Sequence, residues 1–187
     1  MSQADRPAAQ PVEVHKGLEG VVVAETSISE VDGKQCQLIY RGYNIDELVS
    51  RASYEEVSYL LLYGALPTRP QLWDWISQLE SHRALDPPVL SALQALPKTA
   101  NPMALLRTAM SVLGLYDLDV EDDSIDGIRG KAVRTIAKTA TAVAAIGSLR
   151  KGAPLIPPKP GLSHAANFLS MLHGEEPTEQ EAKALDA

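Results

Sequence analysis

Histidine and cysteine, the side chains that act most readily as bases and nucleophiles near neutral pH, are few in this chain, which holds four histidines and one cysteine. Ser163 and His164 are adjacent, but consecutive residues on a helix point about 100° apart and cannot work together as nucleophile and base. His164 and His173 have no companion at metal-ligand spacing, while His15 falls in the N-terminal region and His82 near a predicted helix end. We therefore predict no catalytic group and no metal ligand here, and interpret Ser163 as a helix cap.

An acidic stretch matches the first half of a calcium-binding loop. Asp122, Ser124, Asp126 and Gly127 occupy positions 1, 3, 5 and 6 of an EF-hand loop. Position 12, which supplies the bidentate carboxylate, is Val133. We therefore predict a solvated loop before a helix and no metal site. The chain also shows no glycine-rich phosphate loop and no nucleophile elbow.

The composition is that of an ordinary globular domain, with 45% hydrophobic and 22% charged residues. A net charge of −7 repels nucleic acid and anionic membranes, and the basic residues are scattered, so we expect neither partner. Cys36 is the one cysteine, which suits a reducing compartment and a cytoplasmic location. Residues 1–14 are polar and lack the apolar run of a signal peptide, so we predict a disordered tail.

Two β-prone runs near the start, residues 20–24 and 37–40, lie on either side of an Asp-Gly pair at positions 32 and 33. Because Asp-Gly is a strong signal for a two-residue hairpin turn, we predict one small β-hairpin in this region.

Every later start and stop signal is helical, without the alternation of strands and helices that a parallel sheet requires. The third predicted helix carries Leu72, Trp75, Ile76 and Leu79 at i, i+3, i+4 and i+7, which predicts one buried face. The residues predicted to begin the first five helices and the helix after the proline-rich connector are Asn44, Ser53, Thr68, Asp86, Asn101 and Ser163. We therefore predict a mainly α fold.

Two features of these helices point beyond a single small domain. The helix of residues 103–113 is apolar on much of its circumference, which predicts burial by the core or by a second subunit. Thr178 and Glu181 form a capping box close to residue 187, which predicts the first turns of a longer element. Between these helices we predict an acidic loop over residues 117–127 and a helix over residues 131–149.

Five stretches, taken in order, resemble citrate synthases of the compact bacterial and archaeal type. They include Arg-Gly-Tyr-Asn-Ile-Asp-Glu-Leu, Leu-Tyr-Gly-Ala-Leu-Pro-Thr and Leu-Ser-His-Ala-Ala-Asn-Phe-Leu. In residue numbers they cover 17–21, 38–48, 60–68, 102–108 and 162–169. The resemblance implies that residues 15–187 form the N-terminal part of the large helical domain, with a small hairpin at its start.

The resemblance further implies the condensation of acetyl-CoA with oxaloacetate to give citrate and CoA, in a homodimer and without a cofactor, because acetyl-CoA is a substrate. In such enzymes one histidine polarises the thioester, an aspartate takes the methyl proton and a second histidine activates oxaloacetate. Their motifs resemble Leu-His-Gly-Gly-Ala-Asn, Gly-His-Arg-Val-Tyr and Asp-Phe-Tyr-Ser, and none occurs here. We expect the catalytic half and the small domain to lie beyond residue 187, and the isolated chain to be inactive.

Two alternatives stay open. A 2-methylcitrate synthase shares several of these stretches but uses propionyl-CoA, and a pocket one methylene larger is worth only about 1 to 3 kcal/mol. The Leu-Ser-His-Ala-Ala-Asn-Phe-Leu stretch favours citrate. The second alternative is a truncated, non-catalytic paralogue that binds a full-length partner through an exposed helix surface.

Arg69 is the one candidate for substrate contact, because the resemblance places an equivalent arginine of methylcitrate synthases near the ligand. The alternative is an exposed arginine at a helix start, where its charge is slightly unfavourable at the positive end of the helix dipole. We interpret Arg41 and Arg107 as structural.

Overall fold

Three short strands precede eight helices in the computed structural model, which describes residues 16–18 and 20–186. The strands are β1 (Ser29–Asp32), β2 (Gln37–Tyr40) and β3 (Tyr43–Asn44), in the antiparallel order β1-β2-β3. The helices are α1 (Ile45–Arg51), α2 (Tyr54–Tyr63), α3 (Arg69–His82), α4 (Pro87–Ala95), α5 (Pro102–Leu115), α6 (Ile125–Lys151), α7 (His164–His173) and α8 (Glu179–Asp186). This confirms the mainly α fold, while the predicted tail of residues 1–14 lies outside the described residues.

The hairpin is present, but its first strand and its turn differ from the prediction. Residues 21–26 take no regular structure, and Val22 is 85% exposed, because a β-prone run forms a strand only where a partner strand lies beside it. Asp32 pairs with Gln37, so four residues and not two connect β1 to β2. The Asp32 carboxylate accepts hydrogen bonds from the amides of Lys34 and Gln35 at 2.8 and 3.0 Å, which stabilises this longer turn.

Helix starts at several of the predicted residues show the predicted capping chemistry, whereas Asp86 precedes α4 without a side-chain cap because its carboxylate binds Lys138. The Asn44 side chain accepts a hydrogen bond from the amide of Asp46 at 2.9 Å. Ser53 and Glu56 bind each other's amides reciprocally, at 3.3 and 2.8 Å. The same reciprocal pattern at Thr178 precedes α8. These caps satisfy amides that have no partner within the helix, and they fix where each helix begins.

Helix α6 begins at Ile125, six positions before the predicted start at residue 131. Ser124 caps it by accepting a hydrogen bond from the amide of Gly127 at 3.0 Å. The prediction of a loop through residue 127 was therefore wrong at its end. Two glycines at positions 127 and 130 lower helix propensity, but the serine cap and the packing of this 27-residue helix outweigh that cost.

Helix α6 lies at the centre of the fold and separates two groups of buried apolar side chains. One group joins α4, α5 and α6 through residues that include Val89, Leu105 and Ala142. The other joins α3 and α6 through Trp75 and Leu79, which confirms the predicted buried face of α3. Within the described residues, no helix has the length and apolar content needed to cross a membrane.

Candidate functional site

Three buried ionisable side chains meet where α2, α3 and α7 come together. Glu55, Arg83 and His164 are 3%, 2% and 9% exposed. Oε1 of Glu55 accepts a hydrogen bond from the backbone amide of His164 at 2.7 Å. Because His164 is the first residue of α7, this carboxylate satisfies a free amide and lies at the positive end of the helix dipole.

Arg83 connects three elements at the C-terminal end of α3. Its Nη1 donates a hydrogen bond to the carbonyl of Leu162 at 2.9 Å and lies 3.6 Å from Oε1 of Glu80. Its carbonyl accepts a hydrogen bond from Thr141 of α6 at 2.7 Å. Burial lowers the pKa of Arg83 from its ordinary value, while the charges of Glu80 and Glu55 oppose that shift. The guanidinium stays charged, because arginine does not lose its proton in proteins.

The imidazole of His164 stacks on the ring of Tyr54, with ring centroids 4.8 Å apart and an interplanar angle of 13°. Burial and then the charge of Arg83 lower the pKa of His164 from 6.5 to about 4, and the charge of Asp186 only partly opposes them. The imidazole is therefore neutral at pH 7. Burial, together with the charge of Glu55, raises the pKa of the Tyr54 hydroxyl.

Asp186 ties α8 to the start of α2. Its Oδ1 accepts a hydrogen bond from the backbone amide of Tyr54 at 3.3 Å, across 132 positions of sequence. Burial raises the pKa of Asp186 above its ordinary value, although this hydrogen bond lowers it. Each carboxylate thus caps a helix other than its own: Glu55 of α2 caps α7, and Asp186 of α8 caps α2.

The depressed pKa of His164 gives a pH-dependent contribution to stability. The pKa of His164 is 6.5 in the unfolded chain and about 4 in the folded protein, so the folded protein binds this proton more weakly. Its contribution is therefore complete above pH 6.5 and is lost as the pH falls toward 4 and below. We expect the free energy of unfolding to drop by about 3 kcal/mol from this residue between pH 7 and pH 4.

The His164→Phe variant isolates that contribution, because a phenyl ring keeps the stack on Tyr54 and does not titrate. Urea unfolding at a series of pH values between 7 and 4 measures it. Over that range the free energy of unfolding of the variant should fall by about 3 kcal/mol less than that of the parent. His173→Gln is the matched control, since His173 is exposed and its replacement should leave the pH slope unchanged. Identical slopes for the parent and His164→Phe contradict the prediction.

The stacked rings border an apolar cavity of about 490 Å³, which we call the α6–α7 groove. Its aliphatic and aromatic lining comes from Ile136, Ala140, Val143, Ala165, Phe168 and Leu185. The polar side chains at this surface are Thr135, Thr139, Tyr54 and the neutral imidazole of His164. Such a lining favours apolar contact over the binding of a charged substrate.

A second cavity, of about 400 Å³, is lined by charged residues of α6 and of the segment after α5. Arg134 binds Asp117 through two hydrogen bonds of 2.8 Å, and Lys138 lies 2.7 Å from Asp86. The Arg134 hydrogen bond holds the pKa of Asp117 below its ordinary value. The cations Arg134 and Lys138 are thus already bound by carboxylates of the same chain.

A sequence model of the family described as "Citrate synthase, C-terminal domain" matches residues 17–187. The chain belongs to the citrate synthase family. The citrate synthase of Haloferax volcanii is 45% identical over 178 residues, which is 93% of this chain and 47% of that protein. The 2-methylcitrate synthase of Mycobacterium tuberculosis is 42% identical over 88% of this chain and 42% of its own length.

A solved structure shares the fold as well. Citrate synthase from Thermoplasma acidophilum, solved as a ternary complex with carboxymethyl coenzyme A and oxaloacetate, matches with a TM-score of 0.88 and 27% identity. The match covers 93% of this chain and 46% of that one. The chain therefore spans about half the length of the citrate synthases it matches.

Arg69 does not join the buried cluster. It is exposed at the first residue of α3, whereas Arg83 follows the last residue of that 14-residue helix. Its contact with substrate remains a prediction. Ser163 is the cap that the sequence predicts, since its Oγ accepts a hydrogen bond from the amide of Ala166 at 3.2 Å. Within the described residues, no group of three or more His, Cys, Asp or Glu side chains is placed to hold a metal ion.

The buried roles of Glu55 and Arg83 were missed from the sequence. Glu55 is an ordinary first-turn acid in a capped helix, and nothing local shows that another helix will begin against it. Arg83 does carry a signal, because it stands four residues after Leu79 and eight after Trp75 and so, as the C-cap of α3, continues their buried face. An arginine that continues an apolar stripe is a candidate for a buried, hydrogen-bonded cation.

Proposed function

We propose that the protein containing these residues is a citrate synthase that condenses acetyl-CoA with oxaloacetate to give citrate and CoA, the entry step of the tricarboxylic acid cycle. The observation that carries the proposal is the 45% identity to the Haloferax volcanii enzyme along 93% of the chain. The fold adds support, since a citrate synthase structure bound to a CoA analogue and oxaloacetate superposes with a TM-score of 0.88. Both substrates are small molecules, and the proposed reaction uses no further cofactor.

In this proposal the described residues supply a helical scaffold and leave the chemistry to residues outside them. Among the described side chains, the one buried imidazole that borders a cavity, His164, is held neutral beneath a tyrosine ring. It has no nucleophile to activate, because Ser163 is engaged as a cap. We therefore propose that the 187 residues alone do not release CoA from acetyl-CoA in the presence of oxaloacetate.

A second candidate is 2-methylcitrate synthesis from propionyl-CoA, which the 42% identity to the Mycobacterium tuberculosis enzyme favours. The two reactions differ by one methylene of the acyl group, so the ratio of kcat/KM for acetyl-CoA and propionyl-CoA separates them. A ratio above about 10 in favour of acetyl-CoA supports citrate synthase, since a methylene is worth about 1 to 3 kcal/mol. A ratio below 1 supports the second candidate.

Arg69 is proposed to contact the dicarboxylate substrate. If it does, Arg69→Ala in the complete enzyme should raise the KM for oxaloacetate about tenfold, because a hydrogen bond to a charged group is worth about 1.5 to 3 kcal/mol. Arg51→Ala is the control, since Arg51 is also an exposed arginine at a helix end. Steady-state kinetics with varied oxaloacetate measure both. An unchanged KM for Arg69→Ala would leave it as an exposed arginine at a helix start.

We also propose that the complete enzyme is a cytoplasmic homodimer. Two surfaces of this chain support a second subunit: the apolar α6–α7 groove, and the outer side of α5, where Met103 is 69% exposed and Leu115 83% exposed on either side of Arg107 and Ser111. Light scattering after size exclusion should give the mass of two subunits. Met103→Asp and Val143→Asp each place a charge on one of these surfaces, and the variant that lowers the mass to one subunit identifies the interface.

A further inference from the structure

The side chain of Arg83 has more hydrogen-bond donors than its protein surroundings accept. Nη1 donates to the carbonyl of Leu162 at 2.9 Å. Nε and Nη2 have no acceptor among the described residues, although Arg83 is only 2% exposed. These two N–H groups form one edge of the guanidinium plane and point in parallel toward the same side, which is the geometry that binds oxygen.

An unpartnered acceptor belongs to the same cluster. Nδ1 of His164 is buried and receives no hydrogen bond from the described residues. Arg83 lies beside the start of α7, because Leu162, whose carbonyl accepts its hydrogen bond at 2.9 Å, stands two positions before His164. Glu55 completes the group, because its carboxylate binds the amide of His164 and its charge acts on Arg83.

The chemistry of these groups indicates a neutral ligand that both accepts and donates hydrogen bonds. An anion is disfavoured, because Glu55 and Glu80 already offset the charge of Arg83. An apolar group is disfavoured as well, because it would leave the two guanidinium N–H groups and the imidazole nitrogen without partners. A water molecule has two lone pairs and two hydrogens, which matches two donors and two acceptors.

We propose that one buried water molecule binds at the junction of α2, α3 and α7, between Arg83, Glu55 and His164. Its oxygen accepts hydrogen bonds from Nε–H and Nη2–H of Arg83. Its hydrogens are donated to Nδ1 of His164 and to the carboxylate of Glu55. Because the water donates to Nδ1, the imidazole proton lies on Nε2. The water also links α2, α3 and α7 by hydrogen bonds, and this role is independent of the proposed reaction.

A high-resolution crystal structure of the complete protein tests the site directly. The proposal expects electron density for one oxygen within hydrogen-bond distance of both Nε and Nη2 of Arg83 and of Nδ1 of His164. A direct bond from that edge of Arg83 to Glu55 or to another protein oxygen, without a water, overturns it.

Oxygen-17 magnetic relaxation dispersion, which counts long-lived internal waters, tests the same site in solution. Arg83→Met removes both donors and should lower the dispersion amplitude by one water per chain. Arg129→Met is the matched control, since Arg129 is 41% exposed and lies over the Tyr63 ring, and it should leave the amplitude unchanged. An unchanged amplitude in a folded Arg83→Met variant overturns the proposal.

His164→Phe gives a second variant if Arg83→Met does not fold. It removes one acceptor of the water and keeps the ring stacked on Tyr54. The water should then exchange faster, so that the dispersion moves to higher frequency or loses one water of amplitude. A dispersion profile identical to that of the parent overturns the proposed contact with Nδ1.

Discussion

Replacing Glu55 by glutamine is expected to lower the free energy of unfolding by about 1.5 to 3 kcal/mol, the range for a hydrogen bond to a charged group, because its carboxylate binds the amide of His164 and offsets the charge of Arg83. The variant keeps an oxygen for the amide of His164 but removes the negative charge. Arg83, at 2% exposure, then keeps only Glu80 as a nearby carboxylate, at 3.6 Å from its Nη1. Because a buried arginine does not lose its proton, removing the charge of Glu55 leaves part of the Arg83 charge uncompensated, which destabilises the fold.

Equilibrium urea unfolding measures this change. Glu175→Gln is the control, because Glu175 is exposed in the segment between α7 and α8, and its replacement should change stability by no more than about 0.5 kcal/mol. The double variant Glu55→Gln with Arg83→Met removes both charges and should be more stable than the sum of the single effects predicts. A Glu55→Gln variant within about 1 kcal/mol of the parent would show that Arg83 does not depend on this carboxylate.

Replacing Trp75 by alanine is the second large effect, with an expected loss of about 3 to 5 kcal/mol. Trp75 is 1% exposed, and its Nε1 donates a hydrogen bond to Oγ of Ser58 at 3.0 Å. Its ring lies nearly perpendicular to the rings of Tyr59 and Tyr63, each with a centroid distance of 6.0 Å. Alanine leaves a cavity between α2, α3 and α6 and removes the donor to the Ser58 hydroxyl, which keeps its own hydrogen bond to the carbonyl of Glu55 at 2.9 Å.

The chain supplies its own control two positions away on the same helix. Trp73 is 74% exposed, so Trp73→Ala removes the same side chain without opening a cavity and should cost less than about 0.5 kcal/mol. Thermal or urea unfolding of the two variants compares them directly. Equal losses of stability would mean that α3 does not bury the face that carries Trp75.

Local structure could be predicted from the sequence wherever it depends on residues close in the chain. The Ser53–Glu56 capping box and the Asn44 cap join residues two or three positions apart, so their spacing is enough to place a helix start. The four-residue spacing of Trp75 and Leu79 predicts a buried face for the same reason.

The features that the sequence did not predict depend on distant residues. The valine run at positions 21–23 has strand propensity but no strand partner. Which residues pair is decided by the register of β1 and β2, which the valine run itself does not show. The hydrogen bond from His164 to Glu55 crosses 109 positions, so no local pattern shows that this glutamate is buried. The candidate site is built from such contacts, which is why its members were missed while the family was recognised from local motifs.

The most direct test of the proposed function is a CoA-release assay on the purified complete protein, with a thiol reagent and acetyl-CoA, before and after oxaloacetate is added. The account predicts thiol release that requires oxaloacetate, yields citrate and is slower with propionyl-CoA. It also predicts no release by residues 1–187 alone. Absence of oxaloacetate-dependent thiol release from the complete, folded protein with either acyl-CoA would contradict it.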